Sequence, residues 1–449
     1  MLLKDKGFLS SFFSLYWSIV LQNVVVLSVN LVDNIMLGAY SESALSGAAA
    51  VNQLQFFLQM VINGFGGGLV VLLSQYWAQG RSQPIRRLTA IGLWGGIGVS
   101  LALLAACWAL PRQLLGLFTT QEDIIGEGVK YLNIIKWTFP IFAAATILQQ
   151  AFQGVGTVRL ALAAALVALA LNVALNALLI PRWGVEGAAA ATLTARIASL
   201  ACTWLYAAKW DQKICLRREC LLPLDRELAW DFLRTAAPAI IINGLWGIST
   251  GLQTVILGHM EAGTAGTIAA NSMATTLYSI LKTASVGAAS VAAILVGGAV
   301  GSGDMDRVKA YAKTLQVMFL AIGVVSSGAL FALRWPILSL YRDMRPQTKE
   351  LANQFLLVLC LTGIGTAYQM PVITGIIRGG GDAKFGMIND LITIWGLVIP
   401  LSLLAAFVLK WSPAAVVLCL NADQLIKCIA GAVRVNRYRW IRRLTRPEG

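Results

Sequence analysis

The sequence has few of the residues that most enzymes use for chemistry. Only 12% of its 449 residues are charged, whereas about 25% are charged in typical soluble domains. It has a single histidine, His259, and its seven cysteines are scattered without a CxxC pair. Catalytic and metal sites require clusters of His, Asp, Glu or Cys. We therefore expect neither an enzyme nor a bound metal or organic cofactor.

Apolar residues, in contrast, are abundant: they make up 57% of the chain and stand in long runs. A helix needs about 20 apolar residues to cross about 30 Å of hydrocarbon. The runs of that length are 11–37, 46–78, 89–110, 129–153, 160–180, 187–208, 229–258, 267–300, 314–335, 351–377, 385–409 and 413–433. This pattern predicts an all-α polytopic membrane protein with twelve transmembrane helices.

Basic residues are distributed unevenly between alternate loops. The loops and termini on one side carry 22 Lys and Arg residues, and the opposite loops carry seven. Because loops rich in Lys and Arg stay in the cytoplasm, we expect both termini in the cytoplasm and the protein in the cytoplasmic (inner) membrane. The formal charge of +14 then requires no nucleic-acid partner.

The longest polar interruption divides the chain into two halves of six spans each. We predict an N-lobe at 1–208, a cytoplasmic linker at 209–228, a C-lobe at 229–433 and a basic cytoplasmic tail at 434–449. Weak internal matches pair residues 32–38 with 252–258 and residues 153–159 with 378–384. Since each half has six spans, the two lobes are expected to be related by a pseudo-two-fold axis along the membrane normal.

Asp33 is the sole acidic residue of the first span. An ionised carboxylate inside a membrane is costly, and such a group can exchange a proton or, among other oxygens, hold a small cation. Asn172 and Asn176 share one face of span five, and Thr194 stands in span six. The alternatives are an Asp33 exposed to the outer headgroups, amides that only join helices, and a threonine hydroxyl bonded to its own helix.

Two polar stripes recur at increments of three or four along spans two and eight, which are equivalent spans of the two lobes. The stripes are Asn52, Gln55, Gln59 and Asn63, and Asn271, Thr275, Tyr278 and Lys282. Polar residues at helical period within a membrane face protein or water rather than lipid. We interpret the stripes as opposite walls of a substrate cavity; the alternative is a polar packing seam.

Lys282 is unusual in this set, because an uncompensated cation discourages cationic cargo. Asp390 in span eleven is a candidate partner for it. Asp423 and Lys427 lie four residues apart in span twelve and can neutralise each other along the helix. We interpret that pair as structural.

Three segments resemble those of a known family. Residues 32–38 (VDNIMLG), 172–180 with 184–192, and 378–382 (RGGGD) look like the corresponding segments of the multidrug and toxic-compound extrusion (MATE) transporters. The similarity covers essentially the whole chain. It implies two lobes of six helices and the export of amphipathic, usually cationic compounds by alternating access, driven by inward movement of H⁺ or Na⁺.

The resemblance also implies a cation site in the N-lobe, built on Asp33, Asn172 and Thr194. The fourth member of that site is commonly an Asp, and this chain has Asn176. A single carboxylate can carry one proton, whereas Na⁺ at Asp33, Asn172 and Asn176 would rely on neutral oxygens, so H⁺ is favoured. Some members carry an acid in span seven, where this chain has Gln253, and we expect no second cation site of that kind.

The sequence therefore predicts a monomeric secondary antiporter that exports amphipathic, cationic compounds in exchange for H⁺. Its partners are small-molecule substrates and membrane lipid. A flippase for a lipid-linked or polysaccharide precursor, from the same superfamily, is the alternative; it would contact cargo through basic groups such as Lys282 and Arg196. A membrane-embedded enzyme would need a nucleophile and base or a metal cluster, which the lone His259 does not supply.

Overall fold

A computed structural model describes residues 6–118, 121–209, 211, 213–214, 225–260, 265–339 and 346–446. These residues are helical apart from short connections, and they contain no strand. Because hydrocarbon offers no water to backbone N–H and C=O groups, long apolar segments fold as helices, which satisfy these groups internally. The all-α prediction is confirmed. Most of the linker predicted at 209–228 lies outside the described residues, as do Cys215 and Cys220.

The helices differ greatly in length. In chain order they are α1 (Lys6–Tyr40), α2 (Glu42–Ala78), α3 (Ser82–Ala109), α4 (Pro111–Gly116), α5 (Glu122–Ile135), α6 (Thr138–Gly154), α7 (Arg159–Lys209), α8 (Arg226–His259), α9 (Ala265–Ser302), α10 (Met305–Ser339), α11 (Pro346–Met370), α12 (Ala383–Asp390), α13 (Ile399–Leu403), α14 (Pro413–Leu420) and α15 (Asp423–Asn436). Wider π-helical turns extend α11 and lie on both sides of α13, at Pro371–Ile377, Leu391–Val398 and Leu404–Val408.

The described helices supply twelve membrane spans. Ten helical segments are long and apolar enough to cross a membrane alone, and α5 with α6 form an eleventh span that bends by 53°. One of the ten, α7, has 51 residues, a length of about 75 Å at 1.5 Å per residue. Its backbone is broken at Gly184, where φ is 55° and ψ is −128°. Since α7 therefore contains two spans, the predicted count of twelve is confirmed.

The chain divides into two compact units. The N-unit comprises the described residues from Trp17 to Gly244, and the C-unit comprises those up to Tyr16 and from Leu245 onward. Both boundaries fall inside helices, α1 and α8, rather than in the linker. The lobe boundaries from the sequence and the two-fold axis remain predictions.

Small residues allow close helix packing in the N-unit. A Cβ atom added at Gly47 of α2 would lie 2.6 Å from the backbone nitrogen of Gly128 in α5. A Cβ added at Gly68 would lie 2.8 Å from the Cα of Ala236 in α8. Close approach of this kind is how membrane helices gain van der Waals contact where lipid supplies no hydrophobic driving force.

The C-unit has an apolar core and a docked C-terminal segment. The core includes the fully buried side chains of Phe355 and Leu356 in α11. After α15 the chain folds back, so that Trp440 is fully buried and the Arg442 N–H donates to the Gly380 carbonyl at 2.7 Å. The described part of the predicted basic tail is thus packed against its unit.

The break at Gly184 generates the first prediction. Gly184→Ala places a side chain in a backbone region that is essentially restricted to glycine, which costs about 1–3 kcal/mol. We expect the midpoint of thermal unfolding in detergent to fall. Gly98→Ala is the control, because Gly98 lies inside α3 with open space around it, and alanine favours a helix by about 1 kcal/mol. An unchanged midpoint for Gly184→Ala would contradict the requirement for glycine at this break.

Candidate functional site

The Asp33 carboxylate of α1 accepts hydrogen bonds from two side chains of α7. Asn176 Nδ2 donates to Asp33 Oδ1 at 2.5 Å, and Thr192 Oγ1 donates to Asp33 Oδ2 at 3.3 Å. Asn176 is fully buried, and Thr192 is buried. Since Asn176 precedes the Gly184 break and Thr192 follows it, three membrane spans meet at this one carboxylate.

Asn172 closes these contacts into a ring of four side chains. Its Nδ2 donates to Thr192 Oγ1 at 3.3 Å, and its Oδ1 accepts from Asn176 Nδ2 at 3.2 Å. The two asparagines stand one helical turn apart, so both point to the same side of α7. Their amides therefore do more than join two helices, since they hold the single acid of span one.

One acceptor in the ring has no partner. Asn176 Oδ1 is buried and, among the described residues, no group donates to it. An unsatisfied buried acceptor typically costs about 1–3 kcal/mol. The ring is therefore fully satisfied only when a further donor or a cation reaches this oxygen.

Two further groups act electrostatically on the ring. Arg196, one turn beyond Thr192 on α7, interacts with the charge of Asp33, and its guanidinium carbon lies 5.1 Å from the centroid of the Phe142 ring. Tyr131 of α5 is 3% exposed and interacts with both Asp33 and Arg196. The site thus combines one carboxyl group with one permanent cation in a desolvated setting.

Thr194 is not part of the ring, and its assignment to the site is corrected to Thr192. Its hydroxyl donates to the Ala190 carbonyl at 2.8 Å, and the side chain is exposed. Positions 192 and 194 are two residues apart, so they point to nearly opposite sides of a helix. The sequence has two candidate threonines in this span, Thr192 and Thr194. The rotation of the helix after Gly184 decides which of them faces Asp33. Tyr131 carried no signal in the sequence.

The polar stripe of α9 lines a cavity inside the C-unit. Asn271, Thr275, Tyr278 and Lys282 all face a cavity of about 260 Å³. The stripe of α2 is partly buried at every position, and its role in a cavity remains a prediction. Its members are Asn52, Gln55, Gln59 and Asn63.

The candidate pairing of Lys282 with Asp390 is replaced by a different arrangement. Asp390 pairs with Lys427 at 2.6 Å, and Lys427 also pairs with Asp423 at 2.9 Å, as predicted for that helical pair. Lys282 Nζ instead lies 4.1 Å from the centroid of the Trp246 ring. Within the described residues no carboxylate lies in ion-pairing distance of Lys282.

Comparisons with known proteins agree with this architecture. The family model described as MatE matches residues 18–178 and 238–404. A protein of Rhizobium meliloti called probable multidrug resistance protein NorM is 28% identical over 396 residues, which are 82% of this chain and 80% of the relative.

Solved structures share the fold. The eukaryotic MATE transporter AtDTX14 superposes with a TM-score of 0.85 at 17% identity, covering 97% of each chain. The MATE transporter VcmN of Vibrio cholerae, in its bent form, gives a TM-score of 0.84 at 16% identity, covering 95% of this chain and 96% of the other. At these identities the likeness establishes the fold alone, and it agrees with twelve helices in two lobes.

The ring generates a prediction that separates its two threonine candidates. Thr192→Val removes the hydroxyl that links Asp33 to Asn172 and leaves buried polar groups without that partner, so we expect a loss of about 1–3 kcal/mol in unfolding free energy. Thr194→Val is the matched control; its exposed position predicts a change within about 0.5 kcal/mol. The measurement is unfolding of the purified protein by SDS titration. Equal losses in both variants would contradict the ring.

Proposed function

The chain belongs to the MatE family of transporters, and from this membership we propose that it is a secondary antiporter that exports amphipathic compounds in exchange for protons. The observation that carries the proposal is the ring around Asp33, with its unsatisfied Asn176 oxygen. A carboxyl group that joins three spans and can gain or lose a proton is suited to coupling, because its protonation changes the contacts that hold those spans together.

Protonation reverses the hydrogen-bonding role of Asp33. The carboxylate is acceptor-only, whereas the acid has an O–H that must donate. If the Asn176 and Asn172 amides both turn about their Cβ–Cγ bonds, Asn176 Oδ1 can accept from the protonated Asp33 and from Asn172 Nδ2. The ring then has two arrangements, one for each protonation state. The protonated arrangement satisfies the oxygen that has no donor in the other arrangement.

Several features favour H⁺ over Na⁺. A hard cation prefers several oxygen ligands, but this site has one carboxylate, and an N–H group rather than an oxygen faces Asp33 Oδ1. The fixed positive charge of Arg196 opposes a proton and Na⁺ alike, so the ligands of the site decide between the two ions. A proton adds the same charge yet needs only one lone pair, so the site accommodates it without assembling a coordination shell.

The proton gradient can drive transport only if the two conformations of the carrier bind the proton with different affinities. The membrane potential contributes about 2.3 kcal/mol per elementary charge per 100 mV, and an ion shifts a conformational equilibrium only by its differential affinity for the two states. In the proposed cycle a proton from outside neutralises Asp33, rearranges the ring and weakens cargo binding. Release of the proton to the cytoplasm resets the carrier.

The cargo is proposed from the relatives and from the polar stripes. The Rhizobium meliloti relative is named for multidrug resistance, which supports export of small compounds. That the carrier works as a monomer in the cytoplasmic membrane is part of the proposal. The family resemblance favours cationic cargo. Flipping of a lipid-linked precursor is the second candidate, and the observation in its favour is Lys282 on the cavity wall. Arg196 does not support it, because this cation acts on Asp33.

Asp33→Asn is the first test of coupling. It keeps a similar shape but cannot bind the transported proton, so we expect efflux of a fluorescent cargo from proteoliposomes under an imposed pH gradient to fall to the rate of protein-free liposomes. Asp123→Asn, at an exposed position at the start of α5, is the control and keeps wild-type efflux. Wild-type efflux in Asp33→Asn would remove Asp33 from the coupling role.

Asn176→Asp tests why the site selects protons. It supplies a second carboxylate beside Asp33, and we expect a Na⁺ gradient alone, at equal pH on both sides, to drive efflux in this variant and not in the wild type. Asn436→Asp makes the same change at an exposed position and remains insensitive to Na⁺. Na⁺-driven efflux in the wild-type protein would refute the assignment to H⁺.

A further inference from the structure

The cavity of the C-unit is separate from the ring around Asp33 and contains charges that the proposed coupling step does not use. Its volume is about 260 Å³, and its walls include Trp246, Gln253, Asn271, Lys282 and Asp423. All of these residues belong to the C-unit. A cavity with aromatic, polar and charged walls is suited to a small molecule.

The two acids near this cavity share one lysine. Asp423 accepts from Lys427 at 2.9 Å and from Gln424 Nε2 at 2.8 Å, and Asp390 pairs with Lys427 at 2.6 Å. The side chains of Lys427 and Asp423 are 5% and 7% exposed. Both of these contacts of Asp423 are made by its Oδ2, and a cationic ligand that competed for this oxygen would have to displace Lys427 from a buried pair, which is strongly unfavourable.

Lys282 is the charge on the cavity wall that remains available. Its ammonium group has no carboxylate within ion-pairing distance among the described residues, and it lies 4.1 Å from the centroid of the Trp246 ring. The charges of Lys282, Lys427, Asp390 and Asp423 sum to zero. Total charge therefore favours neither sign of ligand, and the arrangement decides: Asp423 on the cavity wall is paired with Lys427, whereas Lys282 on the same wall has no ion-pair partner among the described residues.

The position of Lys282 also has a direct effect on cations. An ammonium over the face of a tryptophan is the arrangement by which proteins bind organic cations. Here the protein's own lysine occupies that face. A ligand cation that approached this face of Trp246 would be repelled by the ammonium group of Lys282.

We propose that the C-unit cavity binds the carboxylate of an aromatic amphipathic compound, that Lys282 supplies the charge, and that Lys282 excludes organic cations from Trp246. As a statement about cargo this inference rests on the proposed export function. It narrows the substrate class to compounds that carry an anionic group, and so departs from the cationic cargo that the family resemblance favours. The amides of Gln253 and Asn271 line the same cavity and can donate to the second carboxylate oxygen. Trp246 and Tyr278 supply aromatic surface for the ring of the ligand.

The test compares ligands of one shape and different charge. Equilibrium binding of 2-naphthoate, 2-naphthylmethylammonium and neutral 2-naphthylmethanol is measured on the purified full-length protein in detergent. We expect the wild type to bind the carboxylate at least about tenfold more tightly than the ammonium compound, a difference of about 1.4 kcal/mol. Lys282→Met is expected to reverse that order, and Lys282→Arg to retain it.

Lys313→Met is the matched control, since it removes the same charge from an exposed position on α10 and keeps the wild-type order. Lys282→Gln replaces Lys282→Met if the latter does not fold. A wild type that binds the ammonium compound as well as the carboxylate overturns the inference, as does an unchanged order after the loss of Lys282.

The outcomes separate this inference from the function on which it rests. A protein that prefers the ammonium compound yet still exports cargo under a proton gradient overturns the inference and leaves the antiporter intact. A protein with the expected binding order but no proton-driven export overturns the antiporter and leaves the binding site intact.

Discussion

Hydrogen bonding to one partly buried carboxylate is the constraint on which the N-unit depends. Asp33 sits where an ionised acid is costly, and the cost is offset by donors from two segments of α7, Asn176 before the break and Thr192 after it. Because these donors are neutral, they satisfy the carboxylate without fixing its charge. The same group can therefore be held in place by the protein and still exchange a proton, which a tight salt bridge would hinder.

The backbone break at Gly184 makes that arrangement geometrically accessible. Within one continuous helix Asn172 and Thr192 would lie about 30 Å apart at 1.5 Å per residue, whereas their side chains are hydrogen-bonded. The reversal at Gly184 brings the two spans side by side, and a single position with positive φ thus connects a local backbone requirement to the assembly of the site.

In the C-unit, ion pairs rather than neutral hydrogen bonds hold the buried acids. There Asp390 and Asp423 share Lys427, and Lys282 lies over Trp246 on the cavity wall without an ion-pair partner among the described residues.

The sequence predicted much of this molecule, and the limits have physical causes. Span positions follow from apolar length alone, and Asp33, Asn172 and Asn176 could be selected because polar groups inside spans are rare and expensive. Thr192 could not be chosen over Thr194, since the phase of a helix after a break is a tertiary property. The partner of Asp390 could not be assigned either, because Lys427 and Lys282 are both reachable until packing places one of them at 2.6 Å.

The central claim is that Asp33 takes up and releases a proton within the working range of the transporter. Infrared difference spectroscopy of the purified protein between two pH values reports protonated carboxyl groups directly. Our account predicts a carboxylic acid C=O band that grows as the pH falls and is missing from the same difference spectrum of Asp33→Asn. A band that persists unchanged in that variant, or a wild-type spectrum that responds to Na⁺ and not to pH, would contradict the account.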